Sequence, residues 1–288
     1  GLKIYNNKLT KIPFSGAYGG DGGWDFAVEM FWDEGTEFYG NEVRGAGFDT
    51  NFQYKGSYPY SVWIHDNTFT LPSAMASSNA AITLEFDTDG AIVENNVIDK
   101  MSNCVLFTPR PGNKISNVVI RKNVCTHVGK TTGNGSNASF IILGPGESNF
   151  NIEGLDILNN TFVADPNNRP WWGIELGGQS TGTVKNIAIK NNILAHTLAG
   201  AIVQGGGVTM SSVNISNNDL FDNTQSNDPV FTGPQPTGYT YANNIHGDPL
   251  FVSDTDYQLK SGSPAIDKGV DVGLPFKGSA PDIGYAER

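Results

Sequence analysis

Positive charge, cysteine and long apolar runs are all scarce in this sequence. Only 18 Lys+Arg stand against 29 Asp+Glu, for a net charge of −11. A nucleic-acid partner draws its affinity from neutralised phosphates, so this balance argues against one. More weakly, it argues against an anionic polysaccharide such as pectate or alginate. The two cysteines, Cys104 and Cys125, do not make a disulfide framework. Both lie in apolar runs (NCVLF and KNVCT) and read as buried free thiols. No apolar run is long enough to span a bilayer, so no membrane partner is expected. A secretory signal is also missing. The chain opens on GLKIYNNKLT, already inside a repeat, which reads as a domain cut from a longer secreted protein with further domains upstream.

What is abundant is turn chemistry. Glycine (35 residues) and asparagine tolerate positive φ and bond to their own backbone, while charged residues make up only 16%. That composition points to an all-β protein with many short strands. An Asn-containing motif recurs along the chain, as in KIYNNKL, AIVENNVI, LDILNNTF, IAIKNNIL and VNISNNDL. Aligning the second position of each pair gives Asn7, Asn41, Asn67, Asn96, Asn123, Asn160, Asn192, Asn218 and Asn244. The intervals vary because loops of different length are inserted into a constant unit, and such self-similarity marks a solenoid.

Within each unit the apolar period is two: Val118, Ile120 and Val124 alternate with polar neighbours, as do Ile187, Ile189 and Ile193. That is strand patterning. Stacked coils would bury these side chains, and each turn asparagine would bond its counterpart one strand spacing away, about 4.8 Å. A second family of strands follows each Asn corner, including FAVEMF (26–31), ITLEF (82–86), CVLF (104–107), SFIIL (139–143), WGIEL (172–176) and AIVQ (201–204). The fold expected from the repeat is an all-β parallel β-helix of about eight to nine coils over residues 1–245.

These repeats, with the terminal GDPLF (247–251), DYQLKSGSPAID (256–267) and PDIGY (281–285), resemble the pectate-lyase-like β-helix superfamily of secreted bacterial carbohydrate-active proteins. That resemblance implies a right-handed parallel β-helix whose open end is covered by residues 246–288 as a C-terminal cap of the same domain. Within it, the chain resembles the β-helical carbohydrate-binding modules of plant-cell-wall hydrolases, of which the xylan-binding family 89 is the nearest. The resemblance implies a saccharide groove along the strands that follow the Asn corner. Period two turns Glu29, Glu85 and Glu175 outward there, with Asn51 or Gln53 in the second coil and Gln204 in the seventh. Trp24, Trp32, Tyr54, Tyr58, Tyr60, Trp171 and Trp172 stand at the groove edges, where indole and phenol rings can stack on sugars.

The function expected is a non-catalytic module binding a neutral polysaccharide, xylan favoured, in the extracellular space. The alternative is a β-helix polysaccharide lyase or an inverting glycoside hydrolase. Glu29 and Glu85 would then be an acid pair, with Asn51 between them, or Arg44 and Lys55 a basic site. No cofactor is expected. Calcium is possible at Asp87 and Asp89 in DTDG, a string that tight turns also favour. His65 belongs to an outward column with Tyr5, Tyr39, Glu94 and Arg121 and reads as a surface imidazole.

Overall fold

A computed structural model describes residues 1–10, 26–31, 34–51, 60–71, 80–128, 138–144, 148–177, 181–205 and 207–288. All regular secondary structure among them is β-strand. The strands form three sheets, one of 10 and two of 8, and every pair of named strands is parallel. Each circuit visits the first sheet, turns at the Asn corner into the second, then crosses to the third. Lys114–Arg121, Val124–Val128 and Ser139–Leu143 are one such circuit. Parallel neighbours in one sheet are joined by right-handed crossovers, and the result is a right-handed parallel β-helix.

The Asn pairs have two jobs. The first residue of each (Asn6, Gly40, Asp66, Asn95, Lys122, Asn159, Asn191, Asn217 and Asn243) has a φ of 51–64°. That left-handed turn favours Gly, Asn and Asp, which is why those types dominate the position. The second asparagine points inward and is almost completely buried from Asn41 to Asn218. Its amide reaches the next coil: Asn123 Nδ2 donates to Asn160 Oδ1 at 2.9 Å, and Asn160 Nδ2 to Asn192 Oδ1 at 2.9 Å. Backbone N–H groups join the same acceptors, with Asn123 N at 3.0 Å from Asn160 Oδ1. The corner polar groups of the described coils thereby satisfy one another without water.

Aliphatic and phenylalanine side chains fill the coil interior. Phe38, Phe69, Phe107, Phe140, Phe150 and Phe162 are fully buried, and the Phe140 and Phe162 rings stack at 5.1 Å. Cys104 and Cys125 lie in this core, but as a disulfide joining the third sheet to the second, with Cα atoms 6.3 Å apart. The free-thiol expectation is thus corrected: residues 21 apart in sequence face each other across one circuit. Closing a loop of that length stabilises by about 3 kcal/mol through the unfolded chain. Replacing both cysteines by alanine should lower the urea unfolding free energy by that amount, plus the cost of the lost packing. An unchanged midpoint would show that the bond is not formed.

The terminal segment does more than close an end. Ile245 still bridges to Asp219, continuing the second sheet. The chain then runs back along that sheet's outer face, where Leu259, Ala265 and Ile283 pack on Ile193 and Tyr257 packs with Val124 and Val163. Polar ties follow the same path: Asn217 Nδ2 donates to Lys268 O, Asn191 Nδ2 to Val270 O, and Tyr285 N to Thr161 Oγ1.

Candidate functional site

The third sheet was expected to present an open row of acids and amides, and its register rearranges that row. Glu29 stands opposite Asp49, which stands opposite Thr83; Asn51 is opposite Phe31. Glu29 and Glu85 therefore belong to different rows, displaced by two residues, and Asn51 does not lie between them. Glu29 is exposed. Glu85 is partly buried and ion-paired to Arg110 at 2.9 Å, and that guanidinium also lies over the Phe86 ring at 5.5 Å. Burial raises the Glu85 carboxyl above its ordinary range, while Arg110 pulls in the opposite direction.

Gln204 is a clear correction. It is in register with Leu176, not with Glu175, so it points into the coil and is 1% exposed. Its amide donates to Val208 O at 2.9 Å. Arg44 is exposed but sits on the second sheet, opposite Thr70, away from the expected groove. Tyr60 also turns elsewhere. Its hydroxyl donates to Glu37 at 2.7 Å and its ring meets Trp63 edge-on, both on the first sheet. Trp24, Trp32, Gln53, Tyr54, Tyr58 and Lys55 lie outside the described residues.

Asp87 and Asp89 brace the following coil. Asp87 accepts from Asn113 Nδ2 and Lys114 N, both at 2.8 Å, and Asp89 from Ser116 Oγ and Asn117 Nδ2. Among the described residues no group of three His, Cys, Asp or Glu is placed to hold a metal ion.

The outward column on the first sheet is in register as expected: Tyr5, Tyr39, His65, Glu94 and Arg121. His65 is nevertheless not a surface imidazole. Its side chain is 13% exposed, stacked on Tyr39 at 5.0 Å and against Trp63 at 4.1 Å. These rings spend their faces on one another, so the stack serves as a brace along the axis.

The remaining concentration of expected residues is Trp171, Trp172 and Glu175. The strand Trp172–Leu176 turns Glu175 away from the core, in line with Val203 of the next coil. Even so, Glu175 is only 4% exposed, and its Oε2 has no hydrogen-bond partner among the described residues. Burial pushes its carboxyl up to about 7. Before it, Trp171 and Trp172 are both half-buried, with ring centroids 6.0 Å apart and planes tilted by 45°.

A clamp that the sequence did not reveal holds this pair. Arg169 ion-pairs with Asp222 at 2.7 Å and donates to Asp222 O, while His196 Nδ1 meets the same carboxylate at 2.8 Å. Leu198 N and Ala199 N donate to Pro170 O and Trp171 O, each at 2.8 Å. The result is a fixed aromatic pair at the start of the strand that carries the buried Glu175 carboxyl.

The chain matches no protein-family model and no curated protein. Among solved structures it is similar to the crystal structure of pectate lyase Pel9A, with 13% identity and a TM-score of 0.32. That match covers 99% of this chain and 87% of that one.

Proposed function

We propose that this β-helix is a non-catalytic binding module for a neutral cell-wall glycan, xylan favoured, within a larger secreted carbohydrate-active protein. The clamped Trp171–Trp172 shelf carries the reading. Partly exposed indoles can offer apolar faces to sugar rings while keeping a polar edge for water, and preorganisation spares the entropy of ordering them on binding. The mutual tilt suits a twisted chain, whose successive sugars present rotated faces. The acidic net charge of −11 favours a neutral ligand over a uronate. A buried disulfide supports export to an oxidising compartment.

Glu29 and Glu85 lie in separate rows and Glu85 is tied to Arg110, which favours holding the glycan over cleaving it. One observation favours the second reading, an inverting glycoside hydrolase: a carboxyl raised to about 7 at Glu175 is the protonation state a general acid needs.

Incubation with xylan, mannan, β-glucan, pectate and alginate, scored for both retention and released oligosaccharide, separates the two. Binding without product is expected for one neutral glycan, with affinity reduced about tenfold in Trp172→Ala. Retention unaffected by Trp172→Ala would remove the shelf from the ligand site. Product release abolished by Glu175→Gln would establish the hydrolase instead.

A further inference from the structure

A second concave site lies where the terminal segment crosses the outer face of the second sheet. It is a cleft of about 380 Å³, within the size range of small-molecule sites. One wall comes from the sheet, with Asp99, Thr126 and His127; the other comes from the terminal segment, with Asp254, Asp256 and Tyr257. His127 reaches it because the strand pairing slips at this point. Thr126 pairs with Val163 and Val128 with Ala164, so His127 is the extra residue of a bulge, with a φ of 52°. Bulges of this kind re-aim a side chain at the cost of local strain.

The imidazole is then fixed. Its Nδ1 lies 2.6 Å from Asp99 Oδ1, which also accepts from Thr126 Oγ1 at 3.0 Å. With Nδ1 as the donor in that bond, Nε2 is left as an acceptor. On the other wall Tyr257 is held by its hydroxyl, which donates to Asp254 O at 2.8 Å. Tyr285 and Val97, the latter 46% exposed, add apolar surface. Tyr285 also borders a neighbouring cleft of about 410 Å³, so an extended ligand could continue past it.

We propose that this cleft is a second saccharide site, taking one or two units of a neutral oligosaccharide independently of the Trp171–Trp172 shelf. The polar groups it offers a ligand include the acceptor carboxylates of Asp254 and Asp256 and, in the neutral His127 ring with its proton on Nδ1, the Nε2 atom. The complementary ligand is rich in donors and has an apolar face, which describes sugar hydroxyls and a sugar ring. An anionic uronate meets three carboxylates and is disfavoured. A cation finds Asp99 already shared by His127 and by Lys100, whose Nζ lies 3.4 Å from Oδ2.

The test follows the His127 ring signal by NMR in the full, histidine-labelled chain, assigned by its loss in His127→Gln. The probes are xylotriose, cellotriose and mannotriose, with trigalacturonate and spermidine for contrast. A saturable shift with one neutral trisaccharide is expected, equal in wild type and Trp172→Ala and weakened about tenfold or more in Asp254→Asn. No shift with any neutral trisaccharide at about 10 mM would overturn the proposal. So would a response confined to spermidine or trigalacturonate, an unchanged affinity in Asp254→Asn, or a shift that disappears in Trp172→Ala. Because the Trp172→Ala protein is read separately, failure of the shelf and failure of this cleft are distinguishable.

Discussion

Asn160→Ala should lower the unfolding free energy by about 3–5 kcal/mol. Asn160 is fully buried in the middle of the ladder. Its Oδ1 accepts from both the backbone and the side chain of Asn123, and its Nδ2 donates to Ile120 O, Leu158 O and Asn192 Oδ1. Alanine leaves the Asn123 N–H and several carbonyls without partners in a place water does not reach. An unmade buried hydrogen bond costs far more than a made one gains. Asn7 provides the internal comparison. It is exposed, and its amide donates to Tyr5 O and Asn41 Oδ1. Asn7→Ala should cost under about 1 kcal/mol, because solvent replaces what is lost. Urea denaturation of both variants measures the contrast; equal losses would show that the ladder is no internal brace.

Stability should fall as pH rises from about 4 to 8, opposite to the usual behaviour of ion-paired carboxylates. Two buried acids set the sign. Burial pushes Asp219 from 3.8 up to about 8, and Glu175 from 4.5 up to about 7. Between the unfolded and folded values the native protein holds protons that the unfolded chain has released. Each group's stabilising contribution is therefore complete below about pH 4 and is lost as pH rises through its folded value. The slope reaches about 1.4 kcal/mol per pH unit for each group. Asp219 lies under the terminal segment, beside the Gly247 amide and the like charge of Asp248. Asp219→Asn should flatten the profile and stabilise the protein by about 2–4 kcal/mol at pH 8. Thermal unfolding across this range decides the matter: a flat wild-type profile, or a loss of stability in Asp219→Asn at pH 8, would refute it.

Much of the architecture was legible because the Asn corners carry their own explanation. A left-handed turn residue followed by an inward amide leaves a pattern that loop insertions cannot hide. The outward column of Tyr5, Tyr39, His65, Glu94 and Arg121 followed from it, since those strands run directly into the corner. The third sheet lies farther from that anchor and its phase was harder to read. AIVQ contains no alternation, and a slip of one residue exchanges the two faces; Gln204 consequently belongs inside. FAVEMF and ITLEF alternate well but are offset by two, which separates Glu29 from Glu85.

The clamp on the tryptophans was not legible. Arg169, His196 and Asp222 come from different coils, and no local spacing brings them together. His127 was missed for a related reason: only the bulge and the partner Asp99, 28 residues away, give it a place in the cleft. The disulfide needed the circumference of a coil to be known before two isolated cysteines could be seen as neighbours.

A solenoid is nearly a one-dimensional material, each coil touching only the next, so it can melt from an end one layer at a time. The returning terminal segment changes that dimensionality. From Asn217 through Asn191 and Thr161 to the face around Val124, it ties together coils that do not otherwise meet. No coil in that span can loosen without releasing the strap, and the strap cannot lift without giving up all of them. The coils from Val124 to Phe221 are thus a single cooperative block, while those before it retain the layer-by-layer character of an unbound spring.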